Sequence, residues 1–534
     1  RIFIDDKTTI KIFLDSVINA MTIFFLLSLF LINIFGVNAI DETTVSTFHL
    51  NAIYYSLVQL VNSTDVLYAD KFSNTYGLYP HILEPIFHII GGVNIWNFSI
   101  VMSTLVFISY YAVYRTMKGV ISNRFYLNIG FLTILWFQYY ASKPAEFDYY
   151  FQYAPLRTLF PSLLIFIAYK YIESSNKIYY FFGCVISAVS IFWNFDSGVV
   201  VLLSWLLFSI YTSMGLEDVS IKNKVVIALK KVLFLIFIVF IFIVFYYYYI
   251  VILLGAESFT YQKIFSSINL FSILGYLMEP IPIRHPWVVL MIVYIVAFSH
   301  SLLSINDRIN FKRNSMVFLL SIMGFGLFTY YLGRSINLNL LTVSMPAIIL
   351  ITLYVDSLYF GRNRRFILLH EKFFFILITV FLSFSVINVG YAWPNKLKTF
   401  LIDKNDILSL KEGSQIKKNI SFLKAHTVPF EQVLIFSGNQ GVYHSETNTS
   451  SAFNVGVTDL FFKNDYDRLV KQVKGKDNKI FLDRNTYPVL VSGLKSAGAH
   501  ERKIINIVNE NYDLVDNNGY IFFFLMKDRH EKSK

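Results

Sequence analysis

The chain divides sharply by polarity. Residues 1 to about 392 alternate long apolar runs with short polar connections, whereas residues 393–534 have the mixed composition of a water-soluble domain. The change falls at Trp393-Pro394. Runs of about 16 to 24 residues match the length an α-helix needs to cross about 30 Å of hydrocarbon. A single run could be a buried core helix, but about eleven of them predict a polytopic α-helical membrane protein. The 54 Phe and 36 Tyr are more rings than a soluble core of this length could hide. A polar side chain beside lipid needs a partner or a task, so the functional reading concentrates on the few that are present.

Spans are expected near 17–37, 95–117, 126–141, 158–172, 179–195, 197–215, 232–254, 286–304, 315–332, 341–360 and 373–392. Alternate connections differ in basic content. One set carries Lys7, Lys11, Arg115, Lys118, Arg124, Lys170, Lys177, Lys222, Lys224, Lys230, Lys231, Arg308, Lys312, Arg313 and the Arg362–Lys372 group; the other carries only Lys71, Lys143, Arg157, Lys263, Arg284 and Arg334. The positive-inside rule places the rich set in the cytoplasm, the N-terminus inside and the C-terminal domain outside. The net charge of +11 therefore reports orientation and gives no reason to expect a nucleic-acid partner. The first apolar run reads as a retained span. The one cysteine, Cys184, excludes an intramolecular disulfide.

Two expected outer connections are long, 38–94 and 255–285, and long loops in compact proteins usually carry function or are disordered. Within the first, Phe48–Val61 has the apolar spacing of a helix lying along the membrane surface, and His81–Ile90 forms a second such helix between Pro80 and Gly91-Gly92. Acidic residues gather in this loop: Asp41 and Glu42 just beyond the first span, Asp70 between the two helices, and Glu84 beside Pro85. A carboxylate partly shielded from water can act as a general base, or can simply flank or cap a helix; position alone leaves both open.

The order of these parts resembles the GT-C superfamily of integral membrane glycosyltransferases, which use sugars carried on polyprenyl phosphate. The likeness is carried by Ile40-Asp41-Glu42-Thr43 through Phe48-His49-Leu50, by Tyr68-Ala69-Asp70-Lys71-Phe72, and by Tyr76-Gly77-Leu78-Tyr79-Pro80-His81. The resemblance implies a GT-C-like bundle of about eleven transmembrane helices over 1–392 and an extracytoplasmic α/β domain over 393–534. It implies Asp41 as catalytic base, Glu42 as alternative or support, and Asp70 orienting the acceptor, with His49, Tyr76 and His81 near the acceptor or sugar. No metal-ligand cluster is evident, so no cofactor is assigned and a divalent metal stays open. The implied partners are a polyprenyl-phosphate sugar donor, a glycan, lipid or protein acceptor, and the lipid bilayer, in a bacterial inner membrane.

Chemistry adds a second requirement. A departing phosphate needs positive charge, and arginine suits it through paired hydrogen bonds. Arg334, Arg157, Arg284 and His285 are the candidates on the expected outer face, against a plain reading as residues snorkelling to headgroups. Asp148 and Asp196 lie on the same face and could assist the acceptor or pair with an arginine. Tyr149, Tyr150, Phe151 and Tyr153 are interface anchors or sugar-stacking rings. In the tail, 433–436, 479–482 and 520–526 are predicted strands and 465–473 a helix. The leading reading is an inverting hexosyl- or pentosyltransferase. Its rivals are a transporter or flippase of a lipid-linked glycan, an assembly protein, and a glycan polymerase or ligase.

Overall fold

The computed structural model describes residues 6–37, 40, 45–63, 76–140, 151–216, 219–253, 255, 279–361, 369–408, 414–453, 463–475, 479–484 and 500–527. Asp41, Glu42, Asp70, Lys143, Glu146 and Asp148 lie outside the described residues. The helical part begins with α1 (Asp6–Ile32), α2 (Val45–Asn62), α3 (Tyr79–Ile89), α4 (Ile95–Val120) and α5 (Arg124–Leu135). It continues with α6 (Leu159–Ser174), α7 (Lys177–Trp193), α8 (Phe195–Met214), α9 (Ile221–Tyr247), α10 (Trp287–Leu303), α11 (Phe311–Gly333), α12 (Asn337–Val343), α13 (Met345–Gly361) and α14 (Leu369–Leu408). Short π-helical turns extend α5 over Trp136–Tyr140 and α9 over Tyr248–Leu253.

Polar caps set many of the boundaries. Asn94, Asn123, Asn176, Asn194 and Ser220 each accept a hydrogen bond from the first turn of the helix that follows, satisfying a backbone N–H that would otherwise be orphaned. Asn194 also ends α7, so α7 and α8 turn back on each other within one residue. Gly198 permits that closeness, because a Cβ there would meet the Ser190 carbonyl oxygen at 2.2 Å.

Among the described residues, five helices are long and apolar enough to cross a membrane: Ile95–Val120, Phe195–Met214, Ile221–Ile252, Phe311–Gly333 and Phe375–Pro394. The bent pair Asn337–Val343 and Met345–Leu358, at 55°, makes a sixth if it counts as one span; Ser16–Ile32, Lys177–Trp193 and Trp287–Leu303 are shorter apolar helices. The expected span 126–141 forms a helix of 12 residues that the π-helical turn continues to Tyr140, and 158–172 forms a helix of 16 residues. Every residue of α5 from Tyr126 to Leu135 is buried, so this helix is enclosed by its neighbours. The periphery behaves differently: only 17% of the α9 window is buried inside the protein, against 61% for α8 and α11.

The stretch 45–62 departs from its expectation as a helix on the membrane surface. α2 is buried from Ile53 to Leu60, between the bundle and the C-terminal domain. Asn51, Tyr55, Gln59 and Asn62 form one stripe at near-helical spacing, and each bonds to the second domain. The Asn51 and Gln59 carbonyl oxygens accept from the Gly441 and Ser451 N–H groups at 2.7 Å each. The Tyr55 hydroxyl donates to the Phe453 carbonyl (2.8 Å), and the Asn62 amide donates to the Thr449 carbonyl (3.1 Å). A polar stripe that reads as a wet face is a domain interface.

The polarity change at Trp393-Pro394 falls inside α14, which runs through it to Leu408. The Trp393 indole donates to Ser28 Oγ (2.6 Å) and sits edge-on to Phe25, fastening α14 to α1. Beyond it, α15 (Gln415–His426), α16 (Gln440–Thr447), α17 (Lys463–Gly475) and α18 (His500–Asn511) accompany a sheet in the order β2-β1-β3-β5-β4. Its strands are β1 (Gln432–Phe436), β2 (Ser450–Ser451), β3 (Ile480–Asp483), β4 (Tyr512–Asn517) and β5 (Ile521–Met526). β1 pairs in parallel with β2 and β3, and β5 is antiparallel to β3 and β4.

Candidate functional site

The residues before and after the first long loop are anchored near one another. The Ser99 hydroxyl of α4 both receives from the Phe35 N–H (3.2 Å) and donates to the Phe35 carbonyl (2.8 Å), fixing the exit from α1. Phe35 stacks on Phe151 at 5.9 Å, and Phe151 meets Phe98 edge-on. Ile40, the residue before Asp41, is buried in the main core. The exit from α1 therefore lies beside Phe151, at the start of the turn that carries Gln152, Tyr153 and Arg157.

Arg157 is the centre of the described site. Its side chain is only 12% exposed. The guanidinium lies over the Tyr330 ring at 4.1 Å and over the Tyr76 ring at 5.4 Å, a cation held between two π faces. Nη1 donates to the Gln152 carbonyl (2.7 Å), and Nη2 stands 3.6 Å from the Asp196 carboxylate, which is half exposed. Nε–H is buried and has no hydrogen-bond partner among the described residues. Burial pulls the guanidinium toward losing its charge, but the oxygens of Tyr330, Asp196, Tyr76 and Tyr153 outweigh that and hold it above its ordinary pKa. The cation is thus permanent, shielded from water, and incompletely satisfied.

Each wall of this site is fixed by backbone hydrogen bonds. The Tyr76 hydroxyl donates to Gln152 Oε1 (2.5 Å), and its carbonyl accepts from the Asn194 amide (2.9 Å). Gly77 lies at φ +107°, and a Cβ there would meet the Trp193 carbonyl oxygen at 2.6 Å, so only glycine lets the Tyr76 segment lie this close to α7. The Leu78 N–H donates to the Phe192 carbonyl, and the Trp193 indole to the Leu156 carbonyl. On the far side the Tyr153 hydroxyl donates to Asn339 Oδ1 (3.1 Å), while Asn339 Nδ2 donates to the Arg334 carbonyl (2.8 Å). Burial pushes the Tyr153 phenol far above its usual range, so it remains a neutral donor. Two more buried polar atoms in these elements, Thr158 Oγ1 and Gln138 Oε1, have no partner.

The structure thus brings Arg157, Asp196 and Tyr76 together and separates the other candidates. Arg284 is exposed, and His285 has a partner at each ring nitrogen: its Nε2 faces Asn337 Oδ1 at 2.7 Å and its Nδ1 faces the Tyr331 hydroxyl at 3.1 Å. Both ring nitrogens are already bonded, and the imidazole braces α12 against α11. Arg334 contributes its carbonyl to the site, whereas its side chain is exposed and makes no ion pair among the described residues. His49 is half-buried on α2. His81 is buried on α3, against Tyr246 and Tyr249 at the end of α9. Asp41, Glu42, Asp70 and Asp148 fall outside the described residues.

Sequence reasoning did not single out Tyr330, Gln152 or Asn339. Tyr330 had a signal: an aromatic at the end of a span, in the segment that supplied Arg334. Gln152 and Asn339 had none, because their roles depend on contacts across 76 and 186 residues. Among the described residues, no group of three or more His, Cys, Asp or Glu is placed to hold a metal ion.

No protein-family model matches the sequence, and no curated protein matches it. Solved structures that match include ArnT from Cupriavidus metallidurans bound to undecaprenyl phosphate, at 10% identity and a TM-score of 0.46. ArnT from Cupriavidus metallidurans in the apo state matches at 9% identity and a TM-score of 0.47. Each match covers 95% of this chain and 97% of that one. Overlap this loose transfers no residue role and no substrate.

Proposed function

We propose that the protein is an integral membrane glycosyltransferase that moves a sugar from a polyprenyl-phosphate donor to a glycan, lipid or protein acceptor on the outer side of the membrane. The observation that supports this most is Arg157: a buried cation with an unpartnered Nε–H, clamped by Tyr76 and Tyr330 beside the entrance to an acidic loop. A phosphate oxygen is the ligand such a group is built for, being anionic and able to accept from Nε–H and Nη–H together.

In the reaction, the acceptor hydroxyl attacks the anomeric carbon from the face opposite the phosphate. Asp41, or Glu42 in its place, takes the hydroxyl proton. The carbon–oxygen bond to the phosphate breaks with its electron pair passing to the phosphate oxygen, and Arg157 stabilises that growing charge. Direct displacement inverts the anomeric configuration. Asp70 orients the acceptor. Asp196 holds the free edge of the guanidinium until the donor arrives. The Tyr76 and Tyr330 rings exclude water from the cation, which strengthens its hold on an anion.

The test is in vitro transfer in bilayers with a panel of polyprenyl-phosphate sugars, comparing the parent with Asp41→Asn and Arg157→Gln. The reading expects transfer from at least one donor, abolished by Asp41→Asn and strongly reduced by Arg157→Gln. Equal turnover by parent and Arg157→Gln removes Arg157 from this role; no turnover with any donor removes the reaction class.

A further inference from the structure

A second polar cluster lies at the same end of the bundle and has no part in the reaction above. His81, Glu84 and His88 are spaced i, i+3 and i+7 on α3, so they share one helical face. Glu84 Oε2 lies 3.9 Å from His81 Nδ1, and Glu84 Oε1 lies 3.6 Å from His88 Nε2. Exposure rises along the row, with side chains 3% exposed at His81, 17% at Glu84 and 57% at His88. Among the described residues, both His81 ring nitrogens and Glu84 Oε2 are buried without a hydrogen-bond partner. The Tyr246 and Tyr249 rings close the inner side, edge-on to His81 at 6.0 and 6.2 Å.

The chemistry of this cluster is lopsided. Burial lowers the His81 pKa, so the ring is neutral at physiological pH. Glu84 has two imidazoles and the Tyr249 hydroxyl, which bonds to it, for neighbours, and no lysine or arginine pairs with it among the described residues. A mostly buried carboxylate with no lysine or arginine beside it is costly until a donor carrying positive charge arrives. The surroundings indicate the direction of approach. Ile86, Ile89 and Ile90 of α3 are exposed on one side, and Phe245, Tyr248 and Ile252 near the end of α9 are exposed on the other. That part of α9 belongs to the least buried of the candidate spans, so acyl chains can reach the rim at Glu84 Oε1 and His88 Nε2.

We propose that Glu84, between His81 and His88, receives the primary ammonium headgroup of a phospholipid whose chains lie against α3 and the end of α9. A primary ammonium brings the charge that Glu84 lacks and three N–H donors for the carboxylate and imidazole lone pairs. A quaternary ammonium headgroup has the charge but no N–H, which makes it the natural control.

The full-length protein is incorporated into phosphatidylglycerol bilayers doped equally with phosphatidylethanolamine and phosphatidylcholine, and the lipids it retains are counted by native mass spectrometry. The parent is expected to retain phosphatidylethanolamine about tenfold over phosphatidylcholine, as charge-assisted hydrogen bonds require. Glu84→Gln, nearly isosteric, should bring that ratio close to one, and His88→Ala at the exposed rim should lower it with no effect on folding. Excess glycerophosphoethanolamine, which has no acyl chains, should displace the retained lipid. Equal retention of the two lipids by the parent, or an unchanged ratio in both variants, overturns the proposal. None of these readouts needs glycosyl transfer, so they stand or fall apart from the reaction.

Discussion

Two groups of positively chargeable residues stand at the same end of the helical bundle and look alike in the sequence: Arg157 in its tyrosine clamp, and Arg284, His285 and Arg334 around the start of α10 and the end of α11. Their surroundings divide them. Arg157 is mostly buried, with one N–H lacking a partner among the described residues and two tyrosine rings against its guanidinium. Arg284 and Arg334 are exposed, and His285 has a partner on each nitrogen. Exposed cations cost little to keep idle, because water solvates them. A buried cation with an unused donor is costly, and that cost persists only where a ligand offsets it. Burial combined with incomplete hydrogen bonding, rather than charge alone, separates a binding group from a structural one.

The sharpest way to break this division is to exchange the two arginines' fates. Arg157→Gln removes the cation and leaves Asp196 facing neutral atoms; transfer should fall about 100-fold, the scale of losing one preorganised charge-stabilising donor. The fall should appear in kcat with the protein still folded, which a thermal melt checks. Tyr330→Leu tests the clamp at smaller scale. It keeps an apolar wall but loses the π face 4.1 Å from the guanidinium, and an interaction of about 1 to 2 kcal/mol corresponds to roughly a tenfold loss. Should Tyr330→Leu leave turnover unchanged, the rings are packing material and only the charge matters.

How far the sequence disclosed all this depends on the range of the interactions. Apolar run length located the helices well, because it is a property of contiguous residues. Run length alone does not tell a lipid-facing helix from one enclosed by its neighbours, as α5 is, since lipid and a helical bundle select the same side chains. The predicted strands at 433–436, 479–482 and 520–526 coincide with β1, β3 and β5, again local apolar runs. The stripe Asn51, Tyr55, Gln59 and Asn62 was legible as polar, but not as a domain interface, because its partners lie about 390 residues away. At the site, Arg157 and Asp196 were nameable from residue type and Tyr76 from the family resemblance, whereas Asn339 and Gln152 bond across distances that no local pattern encodes. The partners of His285 were hidden for the same reason: only the placement of Asn337 and Tyr331 shows that both nitrogens are bonded.

The corner formed by Arg284, His285 and Arg334 predicts small and different effects. His285→Gln loses hydrogen bonds to Tyr331 and Asn337 and should lower stability by about 1 to 2 kcal/mol, read as a drop in melting temperature, while leaving kcat near the parent value. Arg334→Gln should do less still. Its contribution to the site is a backbone carbonyl that accepts from Asn339, and the substitution leaves that carbonyl in place. An exposed guanidinium without an ion pair adds only a diffuse field, screened within about 8 Å at physiological salt. Transfer by Arg334→Gln should therefore stay within about twofold of the parent at physiological salt, with any deficit appearing in KM at low salt, where screening weakens. A loss in kcat comparable to that of Arg157→Gln would mean that the exposed arginine swings inward on the donor, and the contrast between buried and exposed cations would then describe the resting protein rather than the working one.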